Sequence, residues 1–266
     1  MGSFPFSTAL VTGASSGIGR ELARQLGRGG VQVALVARRR EELEVLAEEI
    51  KGSNGRAIVL PADLRRPEEA VRIIAEAEQN LSRLDLVIAN AGVGSEGPIQ
   101  EAAWEKMIET MMVNSLAPMA MIRAALPGML KRKSGYIAGI SSLASYRGLP
   151  RSGAYSCSKA ALSTFLESLR VDIRGQGVSV IDIHPGYIRT PMTSKHKFKM
   201  PFLMDVDRAA GLILNAIVRK KPVYSFPWQM ALLLRIAHIM PIWLYDSVIA
   251  FGNREAQDRL PNLREL

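Results

Sequence analysis

Residues 8–19 read TALVTGASSGIG, an apolar, strand-forming run that leads into a turn with three glycines and then into a helix. Gly13, Gly17 and Gly19 let the backbone turn tightly and approach a ligand closely, and the amides at a helix N-terminus attract a pyrophosphate. A glycine-rich turn can also be an ordinary tight loop. Its place between a strand and a helix favours phosphate binding.

Short apolar runs alternate with amphipathic helical stretches along the rest of the chain. Strands are predicted at residues 9–12, 32–37, 57–60, 86–90, 136–141, 178–184 and 223–226, and helices are predicted to begin near Gly17, Glu41, Pro67, Trp104, Gly153 and Asp205. Early strands that are apolar throughout are typical of a parallel sheet covered on both faces and joined by right-handed crossovers. The pattern predicts an α/β fold: one doubly wound parallel sheet of about seven strands with helices on both faces, followed by an apolar helical tail.

Composition favours one domain and narrows the classes of function. A chain of 266 residues is long enough for a single sheet covered by helices on both sides. Cys157 is the only cysteine, so no intrachain disulfide can form and a cytoplasmic location is expected. The three histidines are dispersed, which argues against a metal site. The net charge is +9, but no recognised nucleic-acid-binding motif accompanies it in the sequence. An anionic cofactor or an anionic membrane surface explains the charge at least as well as nucleic acid does.

Tyr155 and Lys159 lie four residues apart in AYSCSKAA, residues 154–161, so their side chains share one face of a predicted helix. An ammonium about 4 Å from a phenol favours the phenolate by about 4 kcal/mol if the effective dielectric constant is about 20. That is enough to move the pKa of a tyrosine from about 10 toward neutrality. The pair predicts a proton-exchanging tyrosine in a partly dry cleft, and a solvated helix face is the alternative if the spacing stands alone.

Three motifs occur together: the GxxxGxG turn at residues 13–19, Asn90-Ala91-Gly92 after the fourth predicted strand, and the Tyr-x-x-x-Lys pair. With them the sequence resembles the short-chain dehydrogenase/reductase family over residues 8–226, and the motifs follow the family's order. The resemblance implies a Rossmann-type catalytic domain at residues 1–226 and a nicotinamide cofactor. It also implies a homo-oligomer built on helices that include the Tyr155 segment.

The resemblance implies a catalytic set of Asn114, Ser142, Tyr155 and Lys159. Tyr155 would give a proton to the substrate oxygen, and Ser142 would hydrogen-bond the same oxygen. Lys159 would lower the pKa of Tyr155 and hold the nicotinamide ribose, while Asn114 would anchor a water that relays protons. On sequence alone Ser142 can be a plain turn residue, and its neighbour Ser141 can take its place. Asn114 is unfavourable inside a helix, although a solvated surface position would tolerate it.

A cofactor-binding set also follows from the resemblance. Asn90-Ala91-Gly92 would support the adenosine side, and residues 185–190 would lie beside the nicotinamide. Asp63 and Leu64 would lie beside the adenine ring, although Asp63 can equally begin the next helix. The full set is Gly13, Ser15, Ser16, Gly17, Ile18, Gly19, Arg38, Asp63, Leu64, Asn90, Ala91, Gly92, Tyr155, Lys159, Pro185, Gly186, Ile188 and Thr190.

The end of the second predicted strand indicates which dinucleotide is preferred. An acidic side chain at this position binds the adenosine ribose hydroxyls of NAD and repels an added phosphate. This chain has Arg38, Arg39 and Arg40 there. The positive charge favours NADP(H) over NAD(H), with Arg38 and the hydroxyl of Ser15 facing the 2′-phosphate. For Arg40 the alternative is a solvated helix start paired with the two glutamates that follow it.

Beyond Thr190 the family's motifs end. Residues 190–221 are expected to form a variable lid over the substrate, with Lys195, Lys197 and Lys199 among apolar residues.

Residues 227–266 begin with an apolar stretch that is too interrupted to span a bilayer. Three interpretations of this tail are open: a cap over the substrate cleft, a subunit interface, or a peripheral membrane contact with Trp228, Trp243 and Tyr245 at headgroup level. Burial against protein is slightly preferred over lipid.

These features predict an NADP(H)-dependent oxidoreductase that transfers a hydride between the nicotinamide and a carbonyl or secondary alcohol. The apolar tail suggests a lipophilic small-molecule substrate. The alternative is a nucleotide-binding scaffold or redox sensor that keeps the fold without turnover, and the four catalytic-type positions argue against it.

Overall fold

A parallel sheet of seven strands forms the centre of the protein. The computed structural model describes residues 4–94, 97–195 and 200–249. The strands are β1 (Thr8–Thr12), β2 (Gln32–Ala37), β3 (Arg56–Pro61), β4 (Leu86–Ala89), β5 (Gly135–Ile140), β6 (Val178–Pro185) and β7 (Val223–Phe226). Their order in the sheet is β3-β2-β1-β4-β5-β6-β7, and every neighbouring pair is parallel. All seven strands are predicted from the sequence to within one residue at either end.

Helices connect the strands and cover the sheet. They are α1 (Gly17–Arg28), α2 (Arg40–Lys51), α3 (Pro67–Leu81), α4 (Trp104–Met111), α5 (Ala117–Arg132), α6 (Gly153–Asp172), α7 (Val206–Val218) and α8 (Trp228–Ile239). The six predicted helix starts agree with the structure to within one residue. The stretch that begins at Trp104 is not one regular helix, because a π-helical turn at Met112–Leu116 separates α4 from α5.

Each face of the sheet has its own apolar core. Residues of α1, α2 and α7 pack on one face, and residues of α3, α5 and α6 pack on the other. Successive strand residues point to opposite faces, so Val11 of β1 belongs to the first core and Leu10 to the second. This burial on both sides explains why the strands are apolar at nearly every position, and it confirms the doubly wound α/β fold.

The segment that the sequence assigns to a substrate lid, residues 190–221, divides into two parts. Residues 206–218 form α7, whose apolar side is buried against α1 in the first core. Apolar residues at helical spacing pack this side, for example Ala209, Ile213 and Ile217, so α7 is part of the core. The role of the segment as a lid stays a prediction, and residues 196–199, with Lys197 and Lys199, lie outside the described residues.

The tail continues the chain from β7 as α8 and a further helical stretch at residues 242–249. Residues 250–266 lie outside the described part. Within that part no helix has both the length and the apolar character needed to cross a bilayer.

Candidate active site

A cleft with a volume of about 350 Å³ opens at the carboxyl ends of the strands. It lies where the strand order reverses between β1 and β4, the point at which doubly wound sheets bind their ligands. The cleft is lined by nearly all of the predicted site: Gly13, Ser15, Ser16, Gly17, Ile18, Arg38, Asp63, Leu64, Asn90, Ala91, Gly92, Ser142, Tyr155, Lys159, Pro185, Gly186, Ile188 and Thr190. The two other predicted residues do not line the cleft themselves. Gly19 lies against Gly13, and Asn114 lies against Gly92.

The glycine-rich turn is shaped as a phosphate cradle at the N-terminus of α1. Gly13 has a φ of +69° and Gly17 a φ of +56°, a region that favours glycine. Gly19 must also stay small, because a Cβ there would lie only 2.4 Å from the carbonyl oxygen of Gly13. The backbone amides of this turn therefore meet the cleft without side chains in the way, which fits the pyrophosphate of a dinucleotide.

Asn90 ties the ends of β1 and β4 together below this cradle. Its Nδ2 donates to the carbonyl oxygen of Thr12 at 2.8 Å, and the hydroxyl of Thr12 accepts from the backbone amides of Asn90 and Ala91, both at 3.0 Å. The sequence did not identify Thr12 as a residue that supports the site. Its position at the end of β1, directly before the glycine-rich turn, could have indicated this role. The pair holds the two central strand ends in one position.

Arg39, not Arg38, reaches the hydroxyl of Ser15. Its guanidinium donates to Ser15 Oγ at 2.9 Å. Arg38 lines the same cleft, but its guanidinium is half exposed and lies 4.0 Å from the carboxylate of Glu109 on α4. Side chains of consecutive residues at a strand end point in opposite directions, so only one of the two arginines can turn toward Ser15. The sequence did not indicate the contact between Arg39 and Ser15, and the placement of Arg38 at a 2′-phosphate stays a prediction.

Arg40 lies outside the cleft lining, on the exposed start of α2. It pairs with Glu44 at 3.4 Å, one turn along the helix, and not with the two glutamates that follow it. One of these, Glu42, pairs instead with Arg20 of α1 at 3.5 Å. Residues four apart share a helix face and adjacent residues do not, which explains the difference.

Asp63 and Leu64 follow β3 and line the cleft, on the side where the resemblance places the adenine ring. The carboxylate of Asp63 forms an ion pair with Arg65, whose hydrogen bonds are the main cause that lowers the pKa of Asp63. The N-cap of α3 is Arg66, so Asp63 does not begin that helix. Arg65 was not predicted, and only the folded turn brings its guanidinium back onto Asp63.

Ser142 and Tyr155 meet in the wall of the cleft, where β5 ends and α6 begins. Burial raises the pKa of Tyr155 above its ordinary value of 10, and a hydrogen bond with the side chain of Ser142 offsets this only in part. The phenol is therefore protonated at neutral pH. The hydroxyl of Ser141 is used elsewhere, because it donates to the backbone oxygen of Lys159 at 3.0 Å. The geometry thus pairs Tyr155 with Ser142 and not with Ser141.

Lys159 is buried beside Tyr155 and points to the end of β5. Its Nζ donates to the carbonyl oxygen of Ile140 at 2.7 Å and lies 5.9 Å from the centre of the Tyr155 ring. Burial lowers the pKa of Lys159 from 10.5 to about 8, and the carboxylate of Asp182 partly opposes this. Burial of the phenol is the largest cause of the shift in the pKa of Tyr155, and the effect of Lys159 on that pKa stays a prediction.

Asn114 lies in the π-helical turn and is fully buried. Its Nδ2 donates to the carbonyl oxygen of Val93 and to Ser158 Oγ, each at 3.0 Å, and its Oδ1 accepts from the amide of Val93 at 2.8 Å. Within the described part of the chain these bonds use both amide protons and one lone pair of Oδ1, so one lone pair remains for a water. A Cβ on Gly92 would lie 3.3 Å from that Oδ1 and 3.4 Å from Nζ of Lys159, which places Asn114 next to the lysine.

The segment after β6 closes the other side of the cleft. A Cβ on Gly17 would lie 3.2 Å from Cγ2 of Thr190, so this segment reaches the phosphate cradle. The hydroxyl of Thr193 donates to the carbonyl oxygen of Ile188 at 2.6 Å and accepts from the amide of Thr190 at 3.0 Å. The segment is thereby held as a compact turn.

A buried pair of ionisable side chains lies behind the Ser142 side of the cleft. Asp182 and His184 of β6 are 2.8 Å apart, from Oδ2 to Nε2. Nδ1 of His184 lies 3.1 Å from the backbone oxygen of Ser142 and 3.0 Å from Ser145 Oγ. The sequence did not indicate this pair, because alternating apolar and polar residues are ordinary in a strand. Among the described residues no three acidic, His or Cys side chains cluster as metal ligands.

A second cavity, of about 500 Å³, lies on the outer side of α4 and α6. It is lined by apolar side chains, Trp104 and Met107 among them, and by the exposed Cys157. These helices include the Tyr155 segment on which a homo-oligomer is predicted, and that oligomer stays a prediction.

The pH dependence of stability should report the burial of Lys159. Its pKa is about 8 in the folded state and 10.5 ordinarily, so between these values the unfolded chain binds more protons and folding becomes more favourable as pH rises. The free energy of unfolding of the cofactor-free protein should rise by up to about 3 kcal/mol over this window, relative to Lys159→Met. Urea unfolding at several pH values measures the difference. Lys131→Met removes an exposed lysine as the matched control, and parallel curves for wild type and Lys159→Met would contradict the prediction.

Known proteins resemble this chain in sequence and in fold. A family model described as short chain dehydrogenase matches residues 7–200. An uncharacterized oxidoreductase of Myxococcus xanthus (strain DK1622) is 42% identical over 93% of this chain and 98% of that protein. A fatty acyl-CoA reductase of Mycobacterium tuberculosis is 33% identical over 88% of this chain and 81% of that protein. An X-ray structure of an alcohol dehydrogenase from the archaeon Thermococcus sibiricus, complexed with 5-hydroxy-NADP, superposes with a TM-score of 0.74 at 25% identity, covering 83% of this chain and 95% of that chain.

Proposed function

Because this chain belongs to the short-chain dehydrogenase/reductase family of oxidoreductases, which use a nicotinamide cofactor, we propose that it is an NADP(H)-dependent carbonyl reductase for a lipophilic substrate. The observation that carries the proposal is the contact between Ser142 and a protonated Tyr155 beside the buried Lys159, in the wall of a dinucleotide-shaped cleft.

The residues of the cleft have separate tasks in this proposal. When bound, the nicotinamide supplies the hydride for a carbonyl carbon or accepts one from a secondary alcohol. Ser142 and Tyr155 bind the substrate oxygen, and the hydroxyl of Tyr155 gives its proton to that oxygen as negative charge develops there. Lys159 provides a fixed positive charge and a hydrogen-bond donor at the end of β5. Asn114 holds Val93 and positions a water near Lys159 through the remaining lone pair of its Oδ1.

Tyr155 carries its proton at neutral pH, as a phenol with an ordinary or a raised pKa does, and this is compatible with its role as the proton donor in carbonyl reduction.

Charge in the cleft supports NADP(H). Arg38 and Arg39 both line the adenosine end, and Arg39 already donates to the hydroxyl of Ser15. A 2′-phosphate placed there would meet two guanidinium groups and a hydroxyl, whereas the ribose of NAD would find no carboxylate after β2. The Thermococcus sibiricus relative was solved with an NADP analogue, which agrees with this preference.

Apolar walls near the catalytic residues support a lipophilic substrate. A Cβ on Gly186 would lie 2.9 Å from Cδ of Pro227 and 3.2 Å from Sδ of Met230, so α8 begins directly beside the nicotinamide end of the cleft. Met192 also lines the cleft. Relatives named fatty acyl-CoA reductase and ketoacyl reductase point to acyl chains as the class of substrate.

A series of carbonyl compounds with NADPH tests this function. For aldehydes and ketones of increasing alkyl length, kcat/KM should rise by roughly threefold to fourfold for each methylene that the apolar wall buries, since burial of one CH₂ contributes about 0.8 kcal/mol. NADPH oxidation followed by absorbance gives the series, and NADPH titration followed by fluorescence gives cofactor binding separately. A higher kcat/KM for short, polar carbonyls would contradict a lipophilic substrate. Tight NADPH binding without turnover of any compound would favour the scaffold or sensor alternative.

A further inference from the structure

Polar contacts with residues 146–148 hold helix α8 and the stretch after it to the domain. Arg147, which follows the catalytic serine loop, donates to three carbonyl oxygens at the C-terminal end of the helix, those of Ala237, His238 and Met240. Its guanidinium also lies 4.1 Å from the centre of the Tyr245 ring. Because a positive group at the last carbonyls of a helix is favourable, this contact fixes the rotation of α8 on the domain.

The fixed rotation leaves one side of an apolar helix uncovered. The inner side, with Met230 and Ala231, packs toward Gly186. The outer side exposes large apolar side chains with 47–80% of their surface accessible, and Trp243 of the following helical stretch is exposed as well. We call this set the outer apolar face: Trp228, Leu232, Leu233, Ile236, Ile239 and Trp243. Single exposed apolar residues are normal in a folded protein, but a contiguous group of this kind marks an interaction surface.

The stretch that carries the outer apolar face has almost no charged side chains. Arg235 is the only Lys, Arg, Asp or Glu between residues 227 and 245. It lies three residues after Leu232 and four before Ile239, so it shares their side of the helix. No ion pair of Arg235 occurs within residues 4–94, 97–195 and 200–249. An arginine in such a place can lay its stem on apolar surface and extend its guanidinium to an anion at the edge.

A lipid surface suits this face better than the other occupants. A second copy that used the same face across a two-fold axis would bring another Arg235 and, within residues 227–245, no carboxylate. Residues 250–266 contain six charged side chains among 17, against one among residues 227–245, so their composition is much more polar than that of the face. Anionic headgroups above an acyl layer would satisfy both the apolar side chains and the guanidinium, with Trp228 and Trp243 at the headgroup level.

We propose that the outer apolar face of α8 docks the protein onto an anionic lipid bilayer, with the helix lying in the plane of the interface and Arg235 at the headgroups. The proposal does not depend on the enzymatic activity, because its evidence is the orientation, exposure and charge of the tail. It makes the protein a peripheral membrane protein held by an interfacial helix.

Sedimentation of the full chain with phosphatidylcholine vesicles, with and without phosphatidylglycerol, tests the proposal. The wild type should bind, and more strongly when phosphatidylglycerol is present. Leu232→Gln/Ile239→Gln should weaken binding to both kinds of vesicle by about tenfold or more, because it removes apolar burial without changing the charge. Arg235→Gln should weaken binding only to the anionic vesicles, and added salt should reduce this difference.

Val45→Gln/Val171→Gln is the matched control, since it makes two polar changes at exposed apolar residues of α2 and α6. It should bind vesicles as the wild type does. Circular dichroism and NADPH binding verify that all variants are folded. Wild type that stays in the supernatant with both vesicles, or variants that bind equally well, would overturn the proposal. A dimer that light scattering detects and that only Leu232→Gln/Ile239→Gln dissociates, without vesicle binding, would assign the face to a second copy instead.

Discussion

Tyr155→Phe is expected to lower kcat for carbonyl reduction by roughly 10²–10⁴-fold, which is the usual contribution of a positioned general acid. Phenylalanine keeps the ring in the wall of the cleft and removes only the hydroxyl that meets Ser142. The developing alkoxide then lacks the positioned phenol that would give it a proton. Because the proton is transferred only in the transition state, the loss should appear in kcat while NADPH still binds. Steady-state NADPH oxidation and an NADPH fluorescence titration measure the two quantities.

Tyr136→Phe is the matched control for this change. Tyr136 is also buried on the sheet, but it lies at the opposite end of β5, where its ring packs edge-on against Phe6 with 5.3 Å between the ring centres. Removing its hydroxyl should leave kcat within about twofold of the wild type. If Tyr155→Phe retained activity within about tenfold of the wild type, Tyr155 would not be the proton donor.

Arg38→Asp/Arg39→Asp is expected to lower the NADPH-over-NADH ratio of kcat/KM by roughly 10²-fold or more. Each guanidinium in contact with the 2′-phosphate contributes about 1.5–3 kcal/mol, and about 1.4 kcal/mol corresponds to a factor of ten. The new carboxylates should repel that phosphate and offer acceptors to the ribose hydroxyls of NADH. The single variants separate the two residues, and the contact between Arg39 and Ser15 favours a larger effect at position 39.

Arg40→Asp makes the same change of charge one residue further along. Arg40 pairs with Glu44 on the exposed start of α2 and is not among the cleft-lining residues, so the ratio should stay within about twofold of the wild type. Equal losses with NADPH and NADH in the double variant would defeat the assignment of these arginines to the 2′-phosphate. Dissociation constants for both cofactors provide a measurement that does not depend on turnover.

The elements of the fold were predictable because their signals are local. Each strand is an apolar run that both faces of the sheet bury, and each predicted helix begins close to the residue that the pattern indicates. The glycine turn and the Tyr155–Lys159 spacing are local in the same sense. Family motifs then indicated Ser142 and Asn90, and both line the cleft.

The sequence could not predict which of two neighbouring candidate residues makes a given side-chain contact. The sequence presents Arg38 and Arg39, or Ser141 and Ser142, as near equivalents, and only the direction of each side chain in the folded protein separates them. The π-helical turn that buries Asn114 against Val93 also leaves no clear mark in the sequence. Such choices depend on contacts between residues far apart along the chain.

By itself, the sequence determined the succession of strands and helices along the chain, the glycine-rich turn at residues 13–19 and the types of side chain that line the cleft. Periodicity and motif spacing are properties of residues that lie near one another in the sequence. Tertiary structure alone decided that burial raises the pKa of Tyr155, that α7 belongs to the core and that α8 turns an apolar side outward. The physical reason is desolvation. How much water a group loses depends on everything that packs around it, and that packing exists only once the distant parts of the chain have met.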